Sequence, residues 1–342
     1  MKKLLAGFVL LVSVLIILAA CGSSASEETD GETKTAGAKT DAKESVTVGI
    51  TQIVEHPSLD AAREGFIEAL KDNGYEEGVN LKLDTQLAQG DMSNNQSIAQ
   101  KFAGDEVDLI FAISTPSAQA ALSSTTTIPI LFTAITDPVG AELVKSFDSP
   151  GGNATGTSDT HPDAIKNTME SIAAFFPDAK KVGIIYNSGE QNSRVNVENA
   201  KKAMEGLDLQ SVEATVATTS EVKQAAQSLI GRVDVIYIPK DNTVVAGLES
   251  VIGIANEKDI PLFVGESDSV KRGGFAGFGF EYHDLGYRTG EMAVDVLNGK
   301  APAEIPVEYP ETLDLMINKK AAADQGIEVT DEMKKDAVLV EE

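Results

Sequence analysis

The sequence predicts an α/β protein of two similar lobes, each a parallel sheet flanked by helices, joined by a hinge that the chain crosses three times. Three observations carry this. The apolar runs are short, β-branched and unbroken, as in parallel strands buried on both faces. The stretches between them place apolar residues at helical spacing, so strand and helix alternate as right-handed βαβ units require. The same series of landmarks is also read twice along the chain, in the same order.

The first reading opens with VTVGITQI (46–53), followed by a helical stretch from Leu59 to Asn73 in which Phe66, Ala69 and Leu70 share a face. The second opens with KVGIIYN (181–187), followed by a helical stretch from Arg194 to Leu207 with Ala200, Ala203, Met204 and Leu207 on one face. LKLDTQLA is matched by QSVEATVAT, VDLIFAIST (107–115) by VDVIYIPKD (233–241), and IPILFTAITDP (128–138) by IPLFVGESD (260–268). GGNATG (151–156) is answered by GGFAGFG (273–279). After the second glycine landmark come one more helix, about His283 to Asn298 with Gly299 as its stop, and two short strands in PVEYPETLDLMIN around Pro310. This remainder suits a chain that returns to lobe one with the helix and crosses again near Pro310. The crossings fall near Gly156–Asp159, Phe278–Tyr282 and Tyr309–Leu313, where Gly and Pro suit segments that absorb backbone rotation.

The remaining segments complete the organisation. Lys2 and Lys3 precede an apolar run from Leu4 to Ala20, broken only by Gly7 and Ser13, with small residues at its exit. That is the form of a secretory signal, a little short for a spanning helix. The exit Leu18-Ala19-Ala20-Cys21 resembles the lipobox of bacterial lipoproteins, in which the signal is removed before the cysteine and its sulfur receives a diacylglyceryl group. Cys21 is the only cysteine in 342 residues, and a thiol committed to lipid makes no disulfide and no nucleophile. Acyl chains there would hold the protein to the membrane on its extracytoplasmic face. From Gly22 to about Ser45 there is no large apolar residue, so this reads as a flexible acidic leash. The expected division is a signal at 1–20, a linker at 21–45, one lobe from 46–156 plus 282–309, and the other from 157–281 plus 310–342. Roughly 300 residues beyond the leash exceed one comfortable core, in keeping with two domains.

Charge and motif exclude several classes. Lys and Arg number 28 against 53 Asp and Glu, a formal charge of −25, which repels nucleic acid and anionic lipid headgroups. His56, His161 and His283 are far apart, and no HExxH or CxxC spacing supports a metal site. No GxSxG elbow, phosphate-cradling glycine fingerprint or P-loop is present, so no cofactor and no catalytic constellation is expected.

In parallel α/β sheets, ligands bind outside the carboxyl ends of the strands. With two lobes face to face, the residues after each strand become the candidate site. Lobe one contributes Gln52, Ser114, Thr115, Ser117, Thr136 and Asp137, with Glu55 and His56 in the first loop; lobe two contributes Glu190, Asn192, Ser193, Asp241, Asn242 and Asp268, with Glu266 beside the last. Thr115-Pro116-Ser117 reads as a helix start, Thr115 capping and Pro116 in the first helical position, which offers free amides to a carboxylate. Asp137-Pro138 has the same grammar, and Ser193 reads as the cap of the helix after it. Acids outnumber Lys240 and Arg194 in these loops, which suits a ligand bearing an ammonium group and disfavours phosphate or sulfate. Asp241 and Glu190 are the preferred ammonium partners, although each reads equally well as a cap. With no Trp for sugar stacking, the polar tally points to a small zwitterion such as an amino acid.

TPSAQA, ITDPVGAELV, NATGTSD, GEQNS and PKDNTV resemble the ABC-transporter substrate-binding lipoproteins of the tryptophan/tyrosine-binding type, from about Val46 to Ile317. The resemblance implies a type I periplasmic-binding-protein fold, an aromatic amino acid or relative as cargo, and partnership with a membrane permease and its separate ATPase. It implies no enzyme activity. A ligand-sensing receptor accessory of the same fold, or a nucleoside or sugar binder, is the alternative. A lipid-anchored enzyme would need a nucleophile or metal set that is not found, and the sensing domain of a transcriptional regulator would need a DNA-binding helix pair.

Overall fold

The computed structural model describes residues 45–341. Cys21, the signal at 1–20 and all but the last residue of the 21–45 linker therefore lie outside the described residues. No helix among the described residues is long and apolar enough to cross a membrane.

The first sheet is built from β1 (Val46–Gln52), β2 (Leu81–Leu87), β3 (Leu109–Ile113), β4 (Ile130–Ile135) and β5 (Ala154–Ser158), all parallel, in the order β2-β1-β3-β4-β5. Helices α1 (Pro57–Asp72), α2 (Met92–Gly104) and α3 (Thr115–Ser124) connect them. β3 and β4 are buried along their whole length, as their unbroken apolar runs require. Phe66 of α1 stacks on Phe111 of β3 with ring centroids 3.7 Å apart, at the centre of this core.

The second sheet repeats that order. Strands β6 (Lys181–Asn187), β7 (Gln210–Val216), β8 (Val235–Ile238), β9 (Leu262–Val264) and β10 (Ala276–Gly279) lie as β10-β9-β8-β6-β7 and are parallel. Each of the five landmark pairs in the sequence is a strand pair at the same place in its own sheet. Helices α4 (Ala164–Phe175), α5 (Gln191–Met204), α6 (Val222–Leu229), α7 (Asn242–Val245), α8 (Leu248–Lys258) and α9 (Ser267–Arg272) surround this sheet. Its edge is extended by β11 (Asp314–Asn318), antiparallel to β10, and by β12 (Ala337–Val340), parallel to β11, with α11 (Lys319–Asp324) and α12 (Asp331–Lys334) between them.

The chain passes between the sheets three times. β5 runs to Ser158 in the first sheet before α4 begins in the second lobe. After β10, α10 (Tyr282–Leu297) returns to pack on α1 and on β4 and β5. Glu308 then bridges to Thr157, and β11 re-enters the second sheet. The two strands expected around Pro310 are therefore one isolated bridge and one strand. Pro306 and Pro310 flank the bridge and carry no N–H, so no ladder can propagate there.

Candidate functional site

The carboxyl ends of both sheets face a small cavity between the lobes, with a free volume of about 10 Å³. Lobe one lines it with His56, Leu59, Ser114, Ala134, Thr136 and Tyr282. Asn192, Lys240, Asp241, Asn242, Val245 and Glu266 come from lobe two, and Asp159 from the first hinge crossing.

On the lobe-one side the backbone itself is shaped for the site. Ser114 precedes α3 with φ 81° and ψ 155°, and Ala134, in β4, has φ 57° where the β4–β5 register shifts. Non-glycine residues in that region store strain and cluster at ligand clamps. α3 starts without a side-chain cap, so its first amides stay free beside the cavity. This corrects the expected helix start: Ser114 occupies the cap position, Thr115 is the first helical residue and Pro116 the second. Ser117 is tied to Asn95 (3.2 Å), while the buried Thr115 hydroxyl has no partner.

On the lobe-two side the wall is acidic. Asp241 caps α7, accepting from the Val244 amide at 2.8 Å and from the Asn187 amide at 2.6 Å. Asn242 accepts from the Ser114 hydroxyl across the cleft at 3.0 Å and donates to Glu190. Glu190 also accepts from Thr243 at 2.8 Å. Burial, reinforced by the Asp241 charge, pushes the Glu190 carboxyl up to about 7. Burial also raises Asp241 and Glu266 above the ordinary carboxylate range. Among the described residues, none of the carboxylates of Asp159, Glu190, Asp241 and Glu266 forms a salt bridge. Lys240 instead donates to the backbone carbonyl of Asp159 and sits 4.8 Å above the Phe280 ring.

Further hydrogen bonds span the lobes, from Ser58 to Glu266 at 2.8 Å and from Asn196 to Thr136 at 3.4 Å. Tyr282 donates to Asp159 at 2.9 Å and stacks on Phe280, ring centroids 5.0 Å apart. His56, at the cap position of α1 with extended backbone, is buried with Nδ1 unpartnered.

Ser114, Thr136, Asn192, Asp241 and Asn242 thus meet in the cavity wall. Glu190 stands behind Asn242 and faces an outer groove between the lobes. Gln52 is buried beside the wall and satisfied internally, accepting from Arg63 and donating to Val54 and Asp60. Asp137 starts no helix; its carboxylate closes a turn onto the Gly140 amide at 2.8 Å, because the chain after β4 turns away in a loop. Ser193 is likewise not a cap but lies inside the first turn of α5, behind Glu190, and bonds to Asp241. Asp268 is paired with Lys271 at 3.3 Å on α9, outside the cavity wall. Tyr282, Asp159, Ala134, Leu59 and Val245 are wall residues that the sequence does not single out. Two of them lie at hinge crossings, a position that itself could have pointed to them. Among the described residues no group of three His, Cys, Asp or Glu could hold a metal ion.

Comparison with known proteins agrees with this architecture. The family model described as ABC transporter substrate binding protein matches residues 47–341. A tyrosine-binding protein of Clostridioides difficile (strain R20291) is 45% identical over 318 residues, covering 93% of this chain and 90% of that protein. A Streptococcus pneumonia ABC domain solved in complex with L-Trp superimposes with TM-score 0.82 at 35% identity, over 87% of this chain and 100% of that one. The ligand-free, open structure of a Clostridium difficile substrate binding protein with adhesive properties is 44% identical, over 86% of this chain and 99% of that one, yet superimposes at only 0.64. Higher identity with poorer superposition is what a difference in lobe closure produces, and the hydrogen bonds spanning the cleft place this structure on the closed side. The chain belongs to the ABC transporter substrate-binding protein family, a family of binders and not of enzymes.

Proposed function

We propose that this substrate-binding protein closes its lobes on a small aromatic amino acid and delivers it to a membrane permease with a separate ATPase. The observation that carries the reading is the charge of the cavity. Asp159, Asp241 and Glu266 line it against Lys240 alone, and Lys240 is engaged with a backbone carbonyl. Buried carboxylates without a cation are costly in a low-dielectric site, and a ligand ammonium supplies the missing charge. The ligand carboxylate suits the opposite wall, where α3 presents free amides and the positive end of its dipole next to Ser114. The Tyr282–Phe280 stack supplies the aromatic surface that a chain without Trp has to find elsewhere. Relatives described as binding tyrosine and L-Trp support an aromatic side chain.

Capture proceeds as a hinged trap. The ligand docks on one lobe, and closure brings the other lobe's polar groups onto it and excludes water. Closure is favoured only by the ligand's differential affinity for the closed state. Outside the described residues, Cys21 carries the lipid that anchors the 22–45 leash to the extracytoplasmic membrane face. In that reading Cys21→Ala yields a protein released from the membrane that still binds ligand; retention in the membrane fraction would show the apolar start to be an uncut anchor.

Calorimetric titration with L-tyrosine, L-tryptophan and the deaminated analogue 3-(4-hydroxyphenyl)propanoate tests the cargo. Loss of the ammonium is expected to weaken binding by at least about tenfold, as for removal of one partner of a buried charge pair. Equal or tighter binding of the deaminated compound would overturn the zwitterion reading.

A further inference from the structure

Helices α1 and α10 cross at unusually small residues. Gly65 lies against the His283 carbonyl and the Tyr287 amide, Gly286 against Ala62, and Gly290 against Phe66 and Ala69. These contacts advance together along both helices, so the helices run parallel with their first residues side by side. His56 immediately precedes α1 and Tyr282 opens α10, and both therefore arrive at the cleft together.

The residues around the cavity fall into two bonded groups. One is Ser114 with Asn242, and Asp241 next to it, where the polar ends of a zwitterion find amides and carboxylates. In the other, Tyr282 is bonded to Asp159 and stacked on Phe280, and Lys240 reaches the same Asp159. Ser58, two residues after His56, reaches Glu266 on this side. His56 and Leu59 stand with this second group at the start of α1. With the charged ends of the ligand held by the first group, its side chain falls to Tyr282, Leu59 and His56.

His56 is buried, with 6% of its surface exposed, and its enclosed Nδ1 has no hydrogen-bond partner in the protein. Burial first, and then the Arg272 charge, bring its pKa down to about 4, so the ring is neutral at physiological pH and carries one N–H and one lone pair. A buried polar atom left unpaired in a native fold calls for an explanation, and a ligand atom is one.

Resting on the amino-acid reading above, we propose that His56 is a specificity-determining residue that hydrogen-bonds the ring substituent of the cargo. It selects aromatic amino acids bearing a phenol O–H or an indole N–H over a bare phenyl ring. A site built around such a bond rejects a ligand lacking it, because the protein atom is then buried without a partner.

The test is calorimetric titration of L-tyrosine, L-tryptophan and L-phenylalanine into the wild-type protein and into His56→Leu and His56→Gln, with thermal melts confirming that each variant is folded. Wild type is expected to bind tyrosine and tryptophan at least about tenfold more tightly than phenylalanine. His56→Leu should bring all three within about twofold by weakening the first two and sparing phenylalanine, and His56→Gln should restore part of the preference. Unchanged ratios in His56→Leu, or an equal loss for all three ligands, would overturn the role of His56 while leaving the amino-acid reading intact. Wild-type protein that binds none of the three would overturn that reading, and this one with it. If His56→Leu does not fold, His56→Gln decides: a preference lost or unchanged there overturns the role, and one partly kept, with phenylalanine spared, supports it.

Discussion

The two lobes share one strand order and meet the cleft with opposite chemistry. Lobe one contributes backbone. α1 and α3 reach the cavity without side-chain caps, and Ser114 and Ala134 hold strained positive-φ conformations there. Lobe two contributes carboxylates, with Asp241 and Glu266 in the wall and Glu190 behind Asn242. Helix amides carry partial positive charge and unpaired buried carboxylates carry negative charge, so the closed cleft is dipolar. Neither lobe alone offers both ends, so under the proposed function recognition of a zwitterion and closure are a single event. A repeated scaffold has thus been specialised at its strand tips.

The lobes also differ in what holds them rigid, and this difference is the easiest to break. In lobe one the α1–α10 crossing leaves no room for a side chain: a Cβ on Gly286 would overlap the Ala62 carbonyl oxygen. Alanine there gains about 1 kcal/mol of helix propensity. The clash with fixed backbone costs about 1–3 kcal/mol or more. The clash wins, so Gly286→Ala should lower the thermal midpoint by several degrees, and by parting the starts of α1 and α10 it should also weaken ligand binding. Lobe two supplies the control. A Cβ on Gly253 in α8 would stand in open space, with no atom within 4 Å, so Gly253→Ala should raise the midpoint slightly and leave affinity alone. Equal melting of the two variants would show that the small-residue crossing does not define lobe one.

What could be read from the sequence follows the same division between repeated frame and particular contacts. The strand order was legible because continuous apolar runs and the doubled landmarks respond to burial, which a linear pattern records directly. Ser114, Thr136, Asp241 and Asn242 were legible as cavity-wall residues because the carboxyl ends of strands in parallel sheets face the cleft. Ala134 was not, since an alanine inside an apolar run gives no sign of a left-handed backbone. Tyr282 and Asp159 escaped because their meeting depends on how the chain returns through the hinge. Asp137 and Thr115 each miss by a single position. The wall takes Thr136, and the cap position takes Ser114, each one residue before the one expected. β12 carried no signal strong enough to read, being four residues added to an edge far from the repeat.

The electrostatic contrast between lobes sets a smaller and sharper test. Glu190 in lobe two is buried next to Asp241, which raises its pKa to about 7 from an ordinary value of 4.5. Asn242, Thr243 and Asn192 hydrogen bonds oppose the rise without cancelling it. The folded, ligand-free protein therefore keeps a proton that the unfolded chain has already lost. Stability from this group is fully present below the ordinary carboxyl pKa and is lost as pH rises through about 7. A ligand ammonium held by Asp241, as proposed, works in the other direction: it offsets the Asp241 charge that raises Glu190 and so favours loss of that proton. Affinity for L-tyrosine should accordingly rise by about threefold to tenfold between pH 6 and 8, while the melting temperature of the empty protein falls over the same interval. Glu190→Gln should flatten both curves, since it keeps an amide in place of the carboxyl and removes the titration. Parallel pH slopes for binding and melting, or a slope that survives in Glu190→Gln, would locate the titrating group elsewhere and leave lobe two's acids as caps rather than a counter-charge for the cargo.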